Sequence, residues 1–176
     1  RSQAEVVLTS WIKEGRFVAA LAYNYFHSPG NKVHWFKVVW NPVISPKESF
    51  FLWLAANGKL LTLDRAPFLQ KGIVCRFCKR EVESHDHLFF RCRITMRIWN
   101  DIRDWTRFPR NYILLKATMN GIIHQRATLG IAGKIRCLAL ATSVFCIWMC
   151  RNCILFDDYV FNPANLLEKS DFMFLG

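Results

Sequence analysis

The stretch CRFCKREVESHDHLFFRC, residues 75–92, restricts the possible folds of this chain more than any other segment. Cys75 and Cys78 have C-x2-C spacing, at which one tight turn lets two thiolates reach one ion at ~2.3 Å. Cys92, with His85 or His87, completes a tetrahedral Cys3His set. His87-x4-Cys92 leaves a four-residue arm and His85-x6-Cys92 a longer one, and spacing alone permits both. Four protein ligands close the coordination sphere, so the expected cofactor is one structural zinc ion. With no position for a zinc-bound water, metal-assisted hydrolysis is disfavoured. The plain alternative is unligated cysteines beside surface histidines in a polar loop, but ligand-type residues this dense favour metal. The histidine left over is expected in water, or donating to Asp86 or Glu83.

With 176 residues, 52% of them hydrophobic, the chain can bury one sizeable core, and one domain plus an appendage is expected. Disordered-chain behaviour is excluded. The absence of a methionine before Arg1 suggests a piece of a longer reading frame or a processed product. The formal charge of +11 points to a polyanionic partner, and three zinc-bound thiolates would lower it only by one. Seven cysteines, an odd number without a signal peptide, read as reduced thiols of the nucleus or cytoplasm. Residues 137–150, CLALATSVFCIWMC, carry no charge, but 14 residues closed off by Arg136 and Arg151 fall short of the ~20 a membrane span needs. A buried helix is expected there and no membrane segment. Cys146, Cys150 and Cys153 share one helical face; small buried hydrophobes are favoured over a second metal site or redox pair, because no histidine or acidic partner lies nearby in sequence.

The periodicity predicts a mainly α-helical protein. Helices are expected over 3–14 and 16–27, separated by Gly15, with a turn at HSPGN. The aromatic run before Pro42 fits a short helix or an extended segment. Ser45, Pro46 and Glu48 form a capping box with proline at the first helical position, opening an apolar helix that belongs in a core and stops at Asn57-Gly58. Thr62 is expected to cap another short helix ending near Gly72. After Cys92, Ile94, Ile98, Ile102 and Trp105 mark the apolar side of an amphipathic helix that Pro109 breaks. Helices over 111–124 and 132–156 follow, joined by the linker RATLGIAG, and a tail with helical signal only near 166–169. The domains are therefore drawn as 1–108, pinned by the zinc knuckle, and 109–176, a helical appendage.

The pieces FVAALAY, Trp40, SPKESFFLWLAANGKLLTLDR, Gly72, Cys75 with Cys78, ESHDHLFFRC and Trp99, in this order, resemble the zinc-binding domain found downstream of the polymerase in plant non-LTR (LINE-type) retrotransposon reverse transcriptases. The resemblance covers roughly residues 11–105. In that family the histidine stands immediately before Leu-Phe, which favours His87 over His85. The family pattern Trp-x2-Arg-Asn-x3-Phe, which often follows the domain, is matched by Trp148, Arg151, Asn152 and Phe156. Ala66-Pro67 departs from the family by interrupting a usually smoother helix, and the later helix carries extra cysteines. The resemblance implies that reverse transcription resides in an upstream polymerase domain of the same polyprotein.

Arg76, Lys79, Arg80, Arg91 and Arg93 surround the knuckle and suit phosphate, while Phe77 between the cysteines either stacks on an unpaired base or packs inward. Phe89 and Phe90 are expected to pack on the helix bearing Trp99. No polymerase carboxylate pair, Gly-rich phosphate loop, Ser-centred elbow or H-E-x-x-H occurs, so the chain by itself is expected to be no enzyme. The expected function is a nucleic-acid-binding accessory domain, for RNA or DNA. The alternative is a structural module in which zinc only braces helices that dock on the polymerase or another protein.

Overall fold

The computed structural model describes residues 3–26, 33–106, 114–124 and 130–157. It groups into two compact units, Arg1–Val33 and His34–Gly176.

In the first unit, α1 (Gln3–Ser10) leads into a two-stranded antiparallel hairpin, β1 (Ile12–Lys13) and β2 (Arg16–Phe17), followed by α2 (Ala19–Phe26). Two helices flanking Gly15 were expected. Instead Glu14 (φ 51°) and Gly15 (φ 74°) both take left-handed backbone, as a tight two-residue hairpin turn requires, and this ends α1 early. Trp11, at the base of the hairpin, is buried edge-on to Phe17 (6.3 Å) and Tyr25 (5.5 Å).

The second unit begins with α3 (Phe36–Val39), so the run before Pro42 is a short helix whose Val38 and Val39 are fully buried. Next, α4 (Pro46–Ala56) starts at the expected capping box: Ser45 Oγ accepts from the Glu48 backbone N–H (3.3 Å), and the Glu48 carboxylate accepts from the Ser45 backbone N–H (3.4 Å). It stops at Asn57-Gly58, with Gly58 at φ 60°. Leu52, Ala55 and Ala56 face the core, whereas Phe50 and Trp53 lie at the surface, so this helix is less enclosed than its composition suggests.

Residues after Thr62 form two 3-10 turns, Leu63–Arg65 and Pro67–Leu69, in place of one α-helix. Pro67 lacks an amide proton, and the residue before a proline disfavours helical backbone, so a continuous helix is interrupted at Ala66. A π-helical turn, His87–Arg91, precedes α5 (Arg93–Thr106). Ile94, Ile98 and Ile102 are buried as expected, but Trp105 is exposed. This last turn meets the helix Ile131–Phe156 by a polar contact, Arg136 Nε donating to the Thr106 carbonyl at 3.4 Å, and the indole stays at the surface.

Helices α6 (Leu115–His124) and α7 (Ile131–Phe156) complete the unit. The HSPGN turn, the break at Pro109, residues 111–113 of the expected helix, the first half of the RATLGIAG linker and the tail beyond Asp157 lie outside the described residues, while the end of that linker is the start of α7. By length and composition α7 is apolar enough to cross a membrane, yet 56% of its most apolar window is buried within this chain. It packs against α4, α5 and α6 and donates Leu140, Val144, Ile147 and Trp148 to the same core that holds Leu52, Leu88 and Ile98. At its contact with α4, Phe145 meets Phe51 (5.2 Å), and Thr142 Oγ1 donates to Glu48 Oε1 (2.6 Å).

Candidate metal centre

The first half of the site is a tight turn. The Lys79 amide donates to the Cys75 carbonyl (2.9 Å), the Cys75 amide to the Glu81 carbonyl (2.8 Å), and Val74 bridges Val82 antiparallel. Lys79 adopts φ 54°, a conformation costing a side-chain-bearing residue roughly 1–2 kcal/mol. The second half is the π-helical turn, in which the Cys92 amide reaches back five residues to the His87 carbonyl (2.7 Å). The wide i to i+5 ring thus has the His-x4-Cys spacing built into it, and π-turns recur at functional positions for this reason.

Both halves converge. The ligand atoms of Cys75, Cys78, His87 and Cys92 all lie within 4.8 Å of one another, and all four residues are buried. A tetrahedral zinc ion would set two sulfurs about 3.8 Å apart and a sulfur and an imidazole nitrogen about 3.6 Å apart. Here Cys75 Sγ lies 3.9 Å from Cys92 Sγ, and Cys78 Sγ 3.4 Å from His87 Nε2, so the donor set fits the ion. The Cys75 thiol donates to Cys92, pulling Cys92 down to about 5, and the same contact raises Cys75.

Around the cluster, His87 Nδ1 lies 3.3 Å from Glu81 Oε2. This carboxylate–histidine contact fixes the ring with Nε2 toward the cysteines. Sequence reasoning named Asp86 and Glu83 as candidate partners for a histidine and missed Glu81. His85 lies outside the cluster: its ring packs against Phe89 (4.9 Å between centroids), Nδ1 lies 3.8 Å from Asp86 Oδ1, and burial lowers its pKa.

Glu83, between the two halves of the site, has a different role. It is fully buried; its Oε1 accepts from Arg151 Nε (2.9 Å), from Arg151 NH2 (2.7 Å) and from the Leu63 amide (3.0 Å). Arg151, equally buried on α7, also donates to the Leu61 carbonyl (3.3 Å) and to Asn152 Oδ1 (2.9 Å), with its guanidinium 4.9 Å from the Trp148 ring. The metal loop, the turn after Thr62 and α7 therefore meet at one ion pair. The Trp-x2-Arg-Asn segment was the only sequence signal of it.

The basic residues predicted around the knuckle are at the surface: Lys79, Arg80, Arg91 and Arg93 are exposed, and Arg76 is half-buried, donating to the Lys71 carbonyl. Phe77 is not: it is 5% exposed and belongs to the core. Of the two orientations open to it from sequence, Phe77 takes the inward one, which corrects its placement among the nucleic-acid-binding residues. Phe90 stacks on Trp99 (5.0 Å, 14° between planes), and the Trp99 indole donates to the Phe89 carbonyl. Among the described residues the Cys3His set is the one group able to hold a metal ion. Cys146, Cys150 and Cys153 are half-buried, and burial pushes the Cys146 thiol up to about 12, away from the thiolate form that metal or redox chemistry uses.

No curated protein and no solved structure significantly matches the chain. Residues 17–99 match the family model described as zinc-binding in reverse transcriptase, a span that contains all four clustered residues. The buried Cys3His group and this match agree on one structural zinc ion and on an accessory role, separate from polymerase chemistry. Residues 17–99 are thus similar to the zinc-binding domain of reverse transcriptases.

Proposed function

We propose that Cys75, Cys78, His87 and Cys92 ligate the zinc, and that the domain holds nucleic acid for the polymerase of a non-LTR retrotransposon, in the nucleus or cytoplasm. Arg76, Lys79, Arg80, Arg91 and Arg93 would meet phosphate. The observation that carries this reading is that basic side chains reach the surface next to three of the four metal-cluster residues, Cys75, Cys78 and Cys92, while the cluster itself is closed. A rigid turn then presents guanidinium and ammonium groups to a polyanion without exposing the metal. With Phe77 buried, the knuckle supplies phosphate contacts and no base stacking, so it discriminates little by sequence.

The experiment is binding of the zinc-loaded chain to labelled single-stranded RNA and to duplex DNA across a salt series, beside a variant with those five residues changed to Ala. The expected result is a steep salt dependence that flattens in the variant by about 0.7–0.9 in log–log slope for each phosphate it no longer neutralises. Absent binding, or an unchanged slope, would make the zinc a brace and turn the search to a protein partner.

A further inference from the structure

The outward side of α4 carries an aromatic pair that neither the metal site nor the core uses. Phe50 and Trp53, 50% and 36% exposed, stand three residues apart with centroids 6.1 Å apart and planes 21° from parallel. The helix beneath them is fixed at its start by the capping box and along its inner face by Leu52, Ala55 and Ala56 in the core. Exposing two large flat rings is costly in water unless something covers them.

The charge nearby indicates what does. Over residues 33–63 the charged side chains at the surface are Lys37, Lys47 and Lys59. The only carboxylate there, Glu48, is half-buried and turned to Thr142 (2.6 Å) and Ser45 (2.7 Å). Lys47 precedes Phe50 by three residues, so both share one side of the helix, with the ammonium 5.0 Å from the Phe145 ring. Flat exposed rings on the same helix as Lys47, in a stretch whose exposed charges are lysines as far as Asp64, match a strand with unpaired bases and phosphates: bases stack on the rings, and phosphates meet the ammonium group. A duplex, whose bases are already stacked, gains nothing from the rings.

We infer that Phe50 and Trp53 form a base-stacking platform for single-stranded RNA or DNA, separate from the phosphate-binding knuckle. This rests on the nucleic-acid reading above and assigns single-strand preference to α4. The test uses the zinc-loaded full chain and two probes, a labelled single-stranded oligonucleotide and a blunt duplex of the same length, with thermal melts of every variant. The double variant Phe50→Ala with Trp53→Ala is expected to bind the oligonucleotide at least fivefold more weakly, keep its duplex affinity and keep its melt, since each stacked base contributes about 1–3 kcal/mol. Phe50→Tyr with Trp53→Phe should bind the oligonucleotide as the wild type does. Unchanged oligonucleotide affinity in the Ala variant, or equal loss on both probes, would overturn the platform. If the five-residue basic variant then still lost binding, the proposed function would stand without it. A wild-type chain that binds neither probe would overturn both, and the aromatic face would then be a protein-docking surface.

Discussion

Arg151→Ala is expected to destabilise the zinc-loaded chain by about 3–5 kcal/mol, a large share of the roughly 5–15 kcal/mol that holds a domain together. The reason is what remains after truncation: Glu83, fully buried, keeps a charge whose guanidinium partner has gone. Arg151→Met should cost nearly as much, since it restores volume and not charge. Adding Glu83→Gln to Arg151→Met should recover a large part of the loss, because the amide oxygen still accepts from the Leu63 N–H and no ion stays unpaired. Chemical denaturation of the wild type, Arg151→Met, Glu83→Gln and the double variant gives the coupling directly. A cost under about 1 kcal/mol for Arg151→Ala would show that the pair does not tie α7 to the metal loop. Such a tie also bears on domain limits. The family match ends at residue 99 and the sequence suggested a limit at 108, yet the loop carrying the metal cluster is held by a helix that begins at Ile131. A truncation at 108 removes the partner of a buried carboxylate.

Replacing Cys78 or Cys92 by Ser is expected to abolish the cooperative native melt, and chelation of zinc from the wild type should do the same. Structural zinc in small peptides contributes an apparent ~10–16 kcal/mol, comparable to or larger than the whole stability of a domain this size. Without the ion, three buried sulfurs and an imidazole crowd together with protons in place of metal, and neither the Cys75–Glu81 turn nor the π-helical turn has a reason to close. Zinc retention should also weaken as pH falls, because protons compete for the thiolates and the imidazole. A Cys92→Ser protein that still melted cooperatively would contradict a folding role for the metal.

The sequence carried the parts of this structure that are local. C-x2-C is a spacing fixed by a single turn, and the Ser45-Pro46-Glu48 cap is read within four residues; each could be recognised without knowing the rest of the chain, whereas spacing left both histidines open and only the family resemblance favoured His87. The ion pair between Glu83 and Arg151 joins residues 68 apart, and apart from the Trp-x2-Arg-Asn segment around Arg151 nothing in either neighbourhood points to it. Arg151 even looked like the charge that ends an apolar helix, whereas it is the charge that anchors it. Phe77 and Trp105 were misjudged or left open for a related reason: pattern gives the face of an element, but what covers that face depends on distant packing. The hairpin at Glu14-Gly15 was read as a break between helices because one glycine signals a turn without stating which kind.

The central claim, that Cys75, Cys78, His87 and Cys92 together hold one structural zinc, is tested most directly by cobalt(II) titration of the wild type, His87→Ala and His85→Ala, following the thiolate charge-transfer and ligand-field absorption. The expected result is one equivalent bound tetrahedrally by three sulfurs and one nitrogen in the wild type and in His85→Ala. His87→Ala should show weakened uptake and an altered ligand field. Wild-type uptake by His87→Ala, with the loss appearing in His85→Ala instead, would contradict it.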